Sequence, residues 1–417
     1  MCVVPQINEL DLSGVDTVAV DLETYDPGLK TKGSGAITGE GYVCGIAVAT
    51  HKQTLYFPIN HKYTDNLNAD ETWDRLNELI FQNKNITKVF HNAMYDVCWI
   101  RATTGLMLKG PIYDTMIAAS VLDENRMKYS LDALSKDYLD DTKYKWDLRE
   151  KSIAQYGIND PMSNMHKLPY ILVKDYAEQD VNLTFRLWNL FNKNLDKIIY
   201  EPKAKSPRKI FDLETRLFPC LVDMRFKGVR VDLEKAQNIK QNLIKREEKI
   251  IQNIKKLTGV DVEIMAARSI AKAFDKLKLP YDRTEKSKEP SFTKNFLQNH
   301  PHELPRSIAE ARELNKAHTT FIDSITKHAV NGRIHADINQ IRSDQGGTVT
   351  GRFSMSNPNL QQIPARHPEL GPMIRSIFIP EEKHVWGSFD YSQQEPRILV
   401  HYAKLQNLEG VDEILDA

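Results

Sequence analysis

From Val15 to Asn192, short β-branched runs alternate with segments of helical period, and a chain patterned that way folds as an α/β layer. Strands are predicted over 15–22, 42–50, 54–58 and 88–91, and helices over 72–81, 93–103, 114–122, 130–138 and 173–192. Past residue 210 the strands stop. Residues 212–226 and 233–257 read as helices, the second closed by Gly259 as a C-cap. In that second helix Leu233, Ala236, Ile239, Leu243, Ile250 and Ile254 share an apolar face, and the Lys, Arg and Glu between them form its wet side.

Two layouts in one chain of 417 residues call for at least two domains, in line with the usual scale of about 250–300 residues per core. The boundary is expected at 201–209, EPKAKSPRK, where two prolines and four basic residues suit a solvated connection. It also divides the charge: residues 1–200 sum to −6 and 201–417 to +6, so the net charge is zero. That balance argues against a protein that merely coats nucleic acid or acidic lipid. With 41% hydrophobic and 27% charged residues, disorder and collagen are poor fits. No run approaches the roughly 18 apolar residues of a membrane span, and Met1 to Leu10 has no signal-peptide pattern. Cys2, Cys44, Cys98 and Cys220 form no Cys-x-x-Cys pair, so all four are expected as small buried hydrophobes in a reducing cytosol.

The chemistry begins at Asp21-Leu22-Glu23, which ends the first predicted strand. Both carboxylates then emerge on one side, near the sheet edge where open α/β sheets collect ligands. The same Asp-x-Glu spacing at Asp212/Glu214, Asp232/Glu234 and Asp261/Glu263 is explained by acids at helix starts. His91-Asn92-Ala93-Met94-Tyr95-Asp96 follows a short apolar strand and opens a helix, with Asn92 and Asp96 four residues apart on one face. Tyr176 and Asp180 repeat that spacing in YAEQD. Taken singly, Asn92 suits a helix N-cap and Tyr176 a half-buried aromatic.

In this order and on these elements, DLE, NAMYD and YAEQD resemble the three motifs of the DEDD-type 3′–5′ exonucleases, in the variety with a tyrosine, over residues 15–195. The resemblance implies an RNase H-like fold in which Asp21, Glu23, Asp96 and Asp180 hold two divalent cations, Mg²⁺ or Mn²⁺. Tyr176 would orient the attacking water, and Asn92 would contact the strand or support the site. Carboxylate oxygens suit such hard cations, and two ions about 4 Å apart can stabilise both the attacking and leaving oxygens of a phosphodiester displacement.

A second signal lies near the end. Thr350-Gly351-Arg352-Phe353-Ser354 leads into NPNLQQIP at 357–364, and VWGSFDYSQQEPR follows at 385–397. The last reads as a buried strand ending in Asp390, then a helix from near Gln394. A lone strand-end Asp also suits a cap or a turn. The whole stretch resembles the palm of family A DNA polymerases. It implies that Thr350, Arg352, Asn359, Gln361 and Gln362 contact primer–template DNA and that Arg375 contacts substrate or template. Asp390 would bind both catalytic ions with the Tyr391 carbonyl, Ser392 and Gln393 would line the nucleotide site, and Glu395 would be the steric gate against ribose. Upstream, Glu214-x-x-Leu217-x-Pro219 and Met224-x-x-x-Gly228-Val229-x-Val231-Asp232 resemble the family's entry to the thumb, whose long helices are expected at 233–257 and 304–327. Pro396 replaces the family's usual leucine. In the first turn of a helix its missing N–H costs little, so retained geometry is expected.

The expected organisation is therefore an exonuclease domain at 1–200, a linker at 201–209, a mainly helical thumb at 210–330 and the start of an α+β palm at 331–417. Only 27 residues follow Asp390, without the family's Arg-x-x-x-Lys-x-x-x-Tyr fingers signature or second palm acid. The chain thus reads as a longer polymerase cut short, with no 5′-nuclease domain ahead of it. Its expected partners are primer–template DNA, single-stranded 3′ ends and, in the whole enzyme, dNTPs, in the cytoplasm of a bacterial or phage-infected cell. Two other readings stay open: a stand-alone DEDD nuclease, and a non-catalytic DNA-binding accessory subunit whose acids are structural.

Overall fold

Five strands build one mixed sheet: β1 (Thr17–Tyr25), β2 (Tyr42–Ala49), β3 (Thr54–Pro58), β4 (Thr87–Phe90) and β5 (Ile112–Asp114), in the order β3-β2-β1-β4-β5. The computed structural model describes residues 3–141, 145–197, 206–342 and 347–416. It divides into two units, Met1–Phe378 and Ile379–Ala417. β1 pairs antiparallel with β2 and parallel with β4. It continues past the expected end at Leu22, because β2 pairs with it as far as Tyr25. β5 has three residues, too few to stand out as a β-branched run.

Alternation along the strands gives the sheet two unlike faces. Val18, Val20, Leu22, Ile46, Val48 and Phe57 fill one core with the Ala93–Thr104 helix. The other face carries Ala19, Ala47, Ala49 and Val89, and against it pack Val173, Tyr176, Ala177 and Val181 of the Tyr170–Leu195 helix. Small side chains there let that helix lie close to the strands. Asp21 and Glu23 fall on this second face by period.

The expected helices form with ends shifted by a few residues. The Arg208–Lys227 helix starts inside the stretch expected as a linker, of which 201–205 lies outside the described residues. It buries Phe218 and Val222 in one core and Phe211 in the other, so it is anchored to both sides of the first domain. Cys44 and Cys98 are buried as expected, but Cys220 is exposed. Its helix turns Phe218, Leu221 and Val222 inward, and position 220 lies off that stripe. Cys2 is outside the described residues.

The long Leu233–Thr258 helix is capped by the Asp232 side chain, which accepts from the Lys235 N–H, and by Gly259 at φ 69°. Ala236, Leu243 and Ile254 of its expected face are buried, while Leu233 at the first turn is 39% exposed. The helix expected at 304–327 is an α-helix over Glu303–Lys316, a π-helical stretch over Ala317–Ile322 and a further α-helix over Asp323–His328. His318 in the π stretch meets the buried Glu247 carboxylate at 2.6 Å. Beyond them the antiparallel pair Asp337–Asn339 and Ser354–Ser356 leads to the short Leu370–Arg375 helix.

In the second unit the Gln394–Leu405 helix begins where expected, with Pro396 in its first turn. The buried strand expected ahead of it does not form. Residues 385–391 have no strand, and Val385, Phe389 and Tyr391 are 90%, 97% and 82% exposed. A strand needs a neighbour to take its backbone hydrogen bonds, and no described segment pairs with this one. Among the described residues no helix is long and apolar enough to cross a membrane.

Candidate active site

β4 pairs with β1 only over Thr17 to Ala19. The second half of β1, where Asp21 and Glu23 sit, therefore extends beyond β4, and the chain leaving β4 turns there into the Ala93–Thr104 helix. The turn is made by Asn92, whose backbone is left-handed at φ 68°, a conformation asparagine tolerates better than most residues. Asp96, one turn into the helix, is then placed so that its carboxylate accepts from the Leu22 N–H at 3.1 Å. The side chain substitutes for the strand that ends too soon. A β-bulge at Glu23/Thr24 adds twist immediately after the second acid.

Asn92 occupies the N-cap position, but its side chain makes no capping bond. Asp114 takes over that role. Its carboxylate accepts from Asn92 N–H at 3.1 Å, Ala93 N–H at 2.7 Å and Met116 N–H at 2.7 Å, joining the starts of two helices. Burial pushes the Asp114 carboxyl up to about 6. Asp114 is a site component that the motifs do not single out. Its signal was an Asp directly before a helix, a pattern too common to single it out.

From the other side, the Tyr170–Leu195 helix brings Tyr176 and Asp180, both buried, over the small-residue face. The Tyr176 phenol hydrogen-bonds to Asp180. Burial first, then the charges of Asp180, Glu23 and Asp21, push its acidity far from the ordinary range. Asp96 is raised well above a normal carboxyl, first by burial and then by the Asp21 charge. Asp21, Glu23, Asp96, Tyr176 and Asp180 are thus brought into one electrostatic neighbourhood, as the sequence predicts. Among the described residues no three His, Cys, Asp or Glu side chains converge tightly enough to cage an ion as they stand. Buried carboxylates that raise one another's pKa are nonetheless the donor chemistry a hard divalent cation relieves. A cleft of about 680 Å³ opens beside Tyr176, with Lys151, Gln179, Asn182 and Arg186 in its lining.

The residues expected to contact primer–template lie on the surface of the first unit. Thr350, Arg352, Asn359, Gln361, Gln362 and Arg375 are all exposed. Asn359 caps the turn at Leu360–Gln362, Gln361 Nε2 donates to the Phe353 carbonyl at 3.0 Å, and Arg375 Nε donates to the Pro364 carbonyl at 3.0 Å. Asp390, Tyr391, Ser392, Gln393 and Glu395 follow one another, exposed, in the second unit, with Gln393 left-handed at φ 52° ahead of the helix.

Residues 7–196 match the family described as 3′-5′ exonuclease, and residues 233–411 match DNA polymerase family A. The chain belongs to the family A DNA polymerases. Within that family it is 32% identical to a DNA-directed DNA polymerase of Pseudomonas phage M6, over 97% of this chain and 61% of the relative. It is 31% identical to DNA polymerase DpoZ of Acinetobacter phage SH-Ab 15497, over 77% of this chain and 54% of the relative. It is also 28% identical to DNA polymerase I of Pseudomonas aeruginosa, over 95% of this chain and 43% of the relative. The family member thus spans about half the length of the curated relatives it matches. A solved structure of the POL domain of Pol1 from M. smegmatis, in complex with DNA primer-template and dNTP, shares the fold. Its TM-score is 0.65 at 20% identity, over 93% of this chain and 59% of that one.

Proposed function

We propose that the first domain is a 3′–5′ exonuclease that removes nucleotides from single-stranded 3′ ends, and that it proofreads for a family A polymerase acting in DNA replication. The observation that carries this reading is the meeting of Asp21, Glu23, Asp96, Asp180 and Tyr176 around the second half of β1, with Tyr176 lining a cleft. Asp21, Glu23, Asp96 and Asp180 would hold two divalent cations, Mg²⁺ or Mn²⁺. When bound, these supply an acidified water and charge stabilisation for the attacking and leaving oxygens. The chain's own residues do the rest. Tyr176, held protonated by burial and by its acidic neighbours, gives its one phenolic proton to Asp180, which fixes the direction of the phenol and leaves its oxygen to accept from and orient the incoming water. The small-residue face under the helix keeps the carboxylates desolvated, which strengthens every charge interaction there. In the cleft lining Lys151 suits a phosphate, while Arg186 is paired with Asp141 at 2.6 Å.

The domain plan proposed is exonuclease 1–200, linker 201–209, thumb 210–330 and first palm segment 331–417. In the whole enzyme Thr350, Arg352, Asn359, Gln361, Gln362 and Arg375 would hold primer–template. Asp390 with the Tyr391 carbonyl would bind the palm ions, and Ser392, Gln393 and Glu395 would meet the incoming dNTP. We place the protein in the cytoplasm of a bacterial or phage-infected cell. The test is a labelled single-stranded oligonucleotide incubated with the 417-residue protein and Mg²⁺ or Mn²⁺. Stepwise loss of 3′ nucleotides is expected, abolished by Asp21→Ala with Glu23→Ala. Undiminished excision in that double variant would sink the assignment.

A further inference from the structure

We propose that Tyr56, His61 and Glu178 form a brace that fixes where the Tyr170–Leu195 helix lies on the sheet, making them positioning residues for Tyr176 and Asp180. The proposal rests on the exonuclease reading above and deepens it. None of the three is among the residues expected to hold the cations: Tyr56 and His61 lie outside the acidic motifs, and Glu178 lies within YAEQD but between its two expected site residues.

Tyr56 is fully buried on the edge strand β3 and shares a row with the site: it pairs with Ala47, which pairs with Asp21. Its ring leans toward the next row. A Cβ added to Gly45, the partner of Glu23, would lie 2.1 Å from the Tyr56 phenol oxygen. The ring therefore occupies the space a side chain at 45 would take, beneath the two carboxylates.

The phenol is held from outside. Tyr56 Oη lies 2.6 Å from His61 Nε2. His61 Nδ1 faces two carbonyls, Leu168 at 2.9 Å and Met165 at 3.2 Å, so it carries the ring proton. Nε2 of the neutral ring is then the acceptor, and Tyr56 donates to it. His61 is itself fixed by Asn66, whose side chain accepts from the His61 N–H and donates to its carbonyl, both at 2.8 Å. Leu168 stands two residues before the first residue of the helix. Tyr170, that first residue, stacks on Tyr56 with an interplanar angle of 3°. In the third turn of the helix, Glu178 faces the Tyr56 N–H at the open edge of β3, a contact that works against the rise burial gives its carboxyl.

These contacts tie the start and third turn of the helix to the row that carries Asp21. They are needed because the site pushes the other way. Asp180 on the helix faces the charges of Asp21 and Glu23 on the strand, and like charges favour separation. Of the brace's groups only Glu178 carries an ionisable carboxyl; the neutral imidazole, the phenol and the edge N–H resist the separation without adding charge. Groups one step behind a metal site commonly control its affinity by about 10–100-fold.

The experiment uses the 417-residue protein and three readouts: hydrogen exchange of amides 170–180, calorimetric titration with Mn²⁺, and kcat and KM for excision. Tyr56→Phe and Glu178→Ala should each speed exchange across 170–180. They should weaken Mn²⁺ binding by about tenfold or more and lower kcat with KM for the oligonucleotide unchanged. Glu178→Gln, which keeps an acceptor for the Tyr56 N–H, should behave as the parent. Glu178→Ala is the variant to rely on should Tyr56→Phe not fold. Unchanged exchange in both variants overturns the brace. Faster exchange with parental Mn²⁺ affinity and kcat overturns the positioning role. A parent protein that neither binds Mn²⁺ nor excises refutes the exonuclease reading, and the positioning role with it. Asp21→Ala should lose Mn²⁺ binding while exchange at 170–180 stays parental, which separates the two failures.

Discussion

Arg225 and Asp337 form an ion pair that ties the Arg208–Lys227 helix to the Asp337–Asn339 strand. Arg225 is only 6% exposed, and its guanidinium also lies 3.9 Å from Cys98 Sγ on the helix that carries Asp96. Asp337 accepts in addition from Asn357 Nδ2 at 2.9 Å, within the segment proposed to hold primer–template. Asp337→Ala strands a buried guanidinium, which typically costs about 3–5 kcal/mol. A lower urea midpoint for the first unit is expected, with Asp337→Asn intermediate because it keeps one acceptor.

Gly45 tolerates no side chain. Gly45→Ala should destabilise the first domain by about 1–3 kcal/mol, the usual range for overpacking, because its methyl would collide with the Tyr56 phenol. In a Tyr56→Ala background the same change should cost little, since the colliding ring is gone. Additive thermal shifts in the double variant would contradict this contact.

Asp114 makes stability depend on pH in an unusual direction. The folded protein holds its proton up to about 6, while the unfolded chain releases it near 3.8. The folded state binds more protons across that window, so this group's contribution falls as pH rises through it. Asp114→Asn has no such charge to bury. Its stability relative to the parent should improve by on the order of 3 kcal/mol between about pH 4 and 6. Urea titrations at several pH values check the slope.

Asp96→Asn separates chemistry from folding. The amide oxygen can still accept from the Leu22 N–H, so the melting temperature should stay near the parent's. Loss of the carboxylate should cut excision by at least about 100-fold, beyond the range seen for outer partners of a metal site. Asp96→Ala should lose excision too, and about 1–3 kcal/mol of stability, the usual penalty for a buried N–H left without an acceptor.

The first sheet and the helices around it were legible because periodicity and short turns are local. So were the acids of the site: β1 and the helices at 93 and 170 present Asp21, Glu23, Asp96 and Asp180 from residue patterns read within each segment. The brace was not legible. His61 finds its partners 104 and 107 positions later in the chain, and the room for Tyr56 depends on a glycine on the neighbouring strand, one row over from Asp21. The strand expected at 385–390 shows the opposite failure. Its sequence favours β structure, but pattern alone cannot supply the neighbour that makes a strand.

Because the Asp96 carboxylate completes β1 as well as the acidic cluster, this position carries two obligations at once. A lineage that abandons excision can lose Asp21 or Asp180 without opening the sheet, whereas Asp96 can change safely only to a residue that still accepts a hydrogen bond. Inactive descendants of this domain should therefore be recognisable by an asparagine kept at 96 after its acidic companions have drifted away.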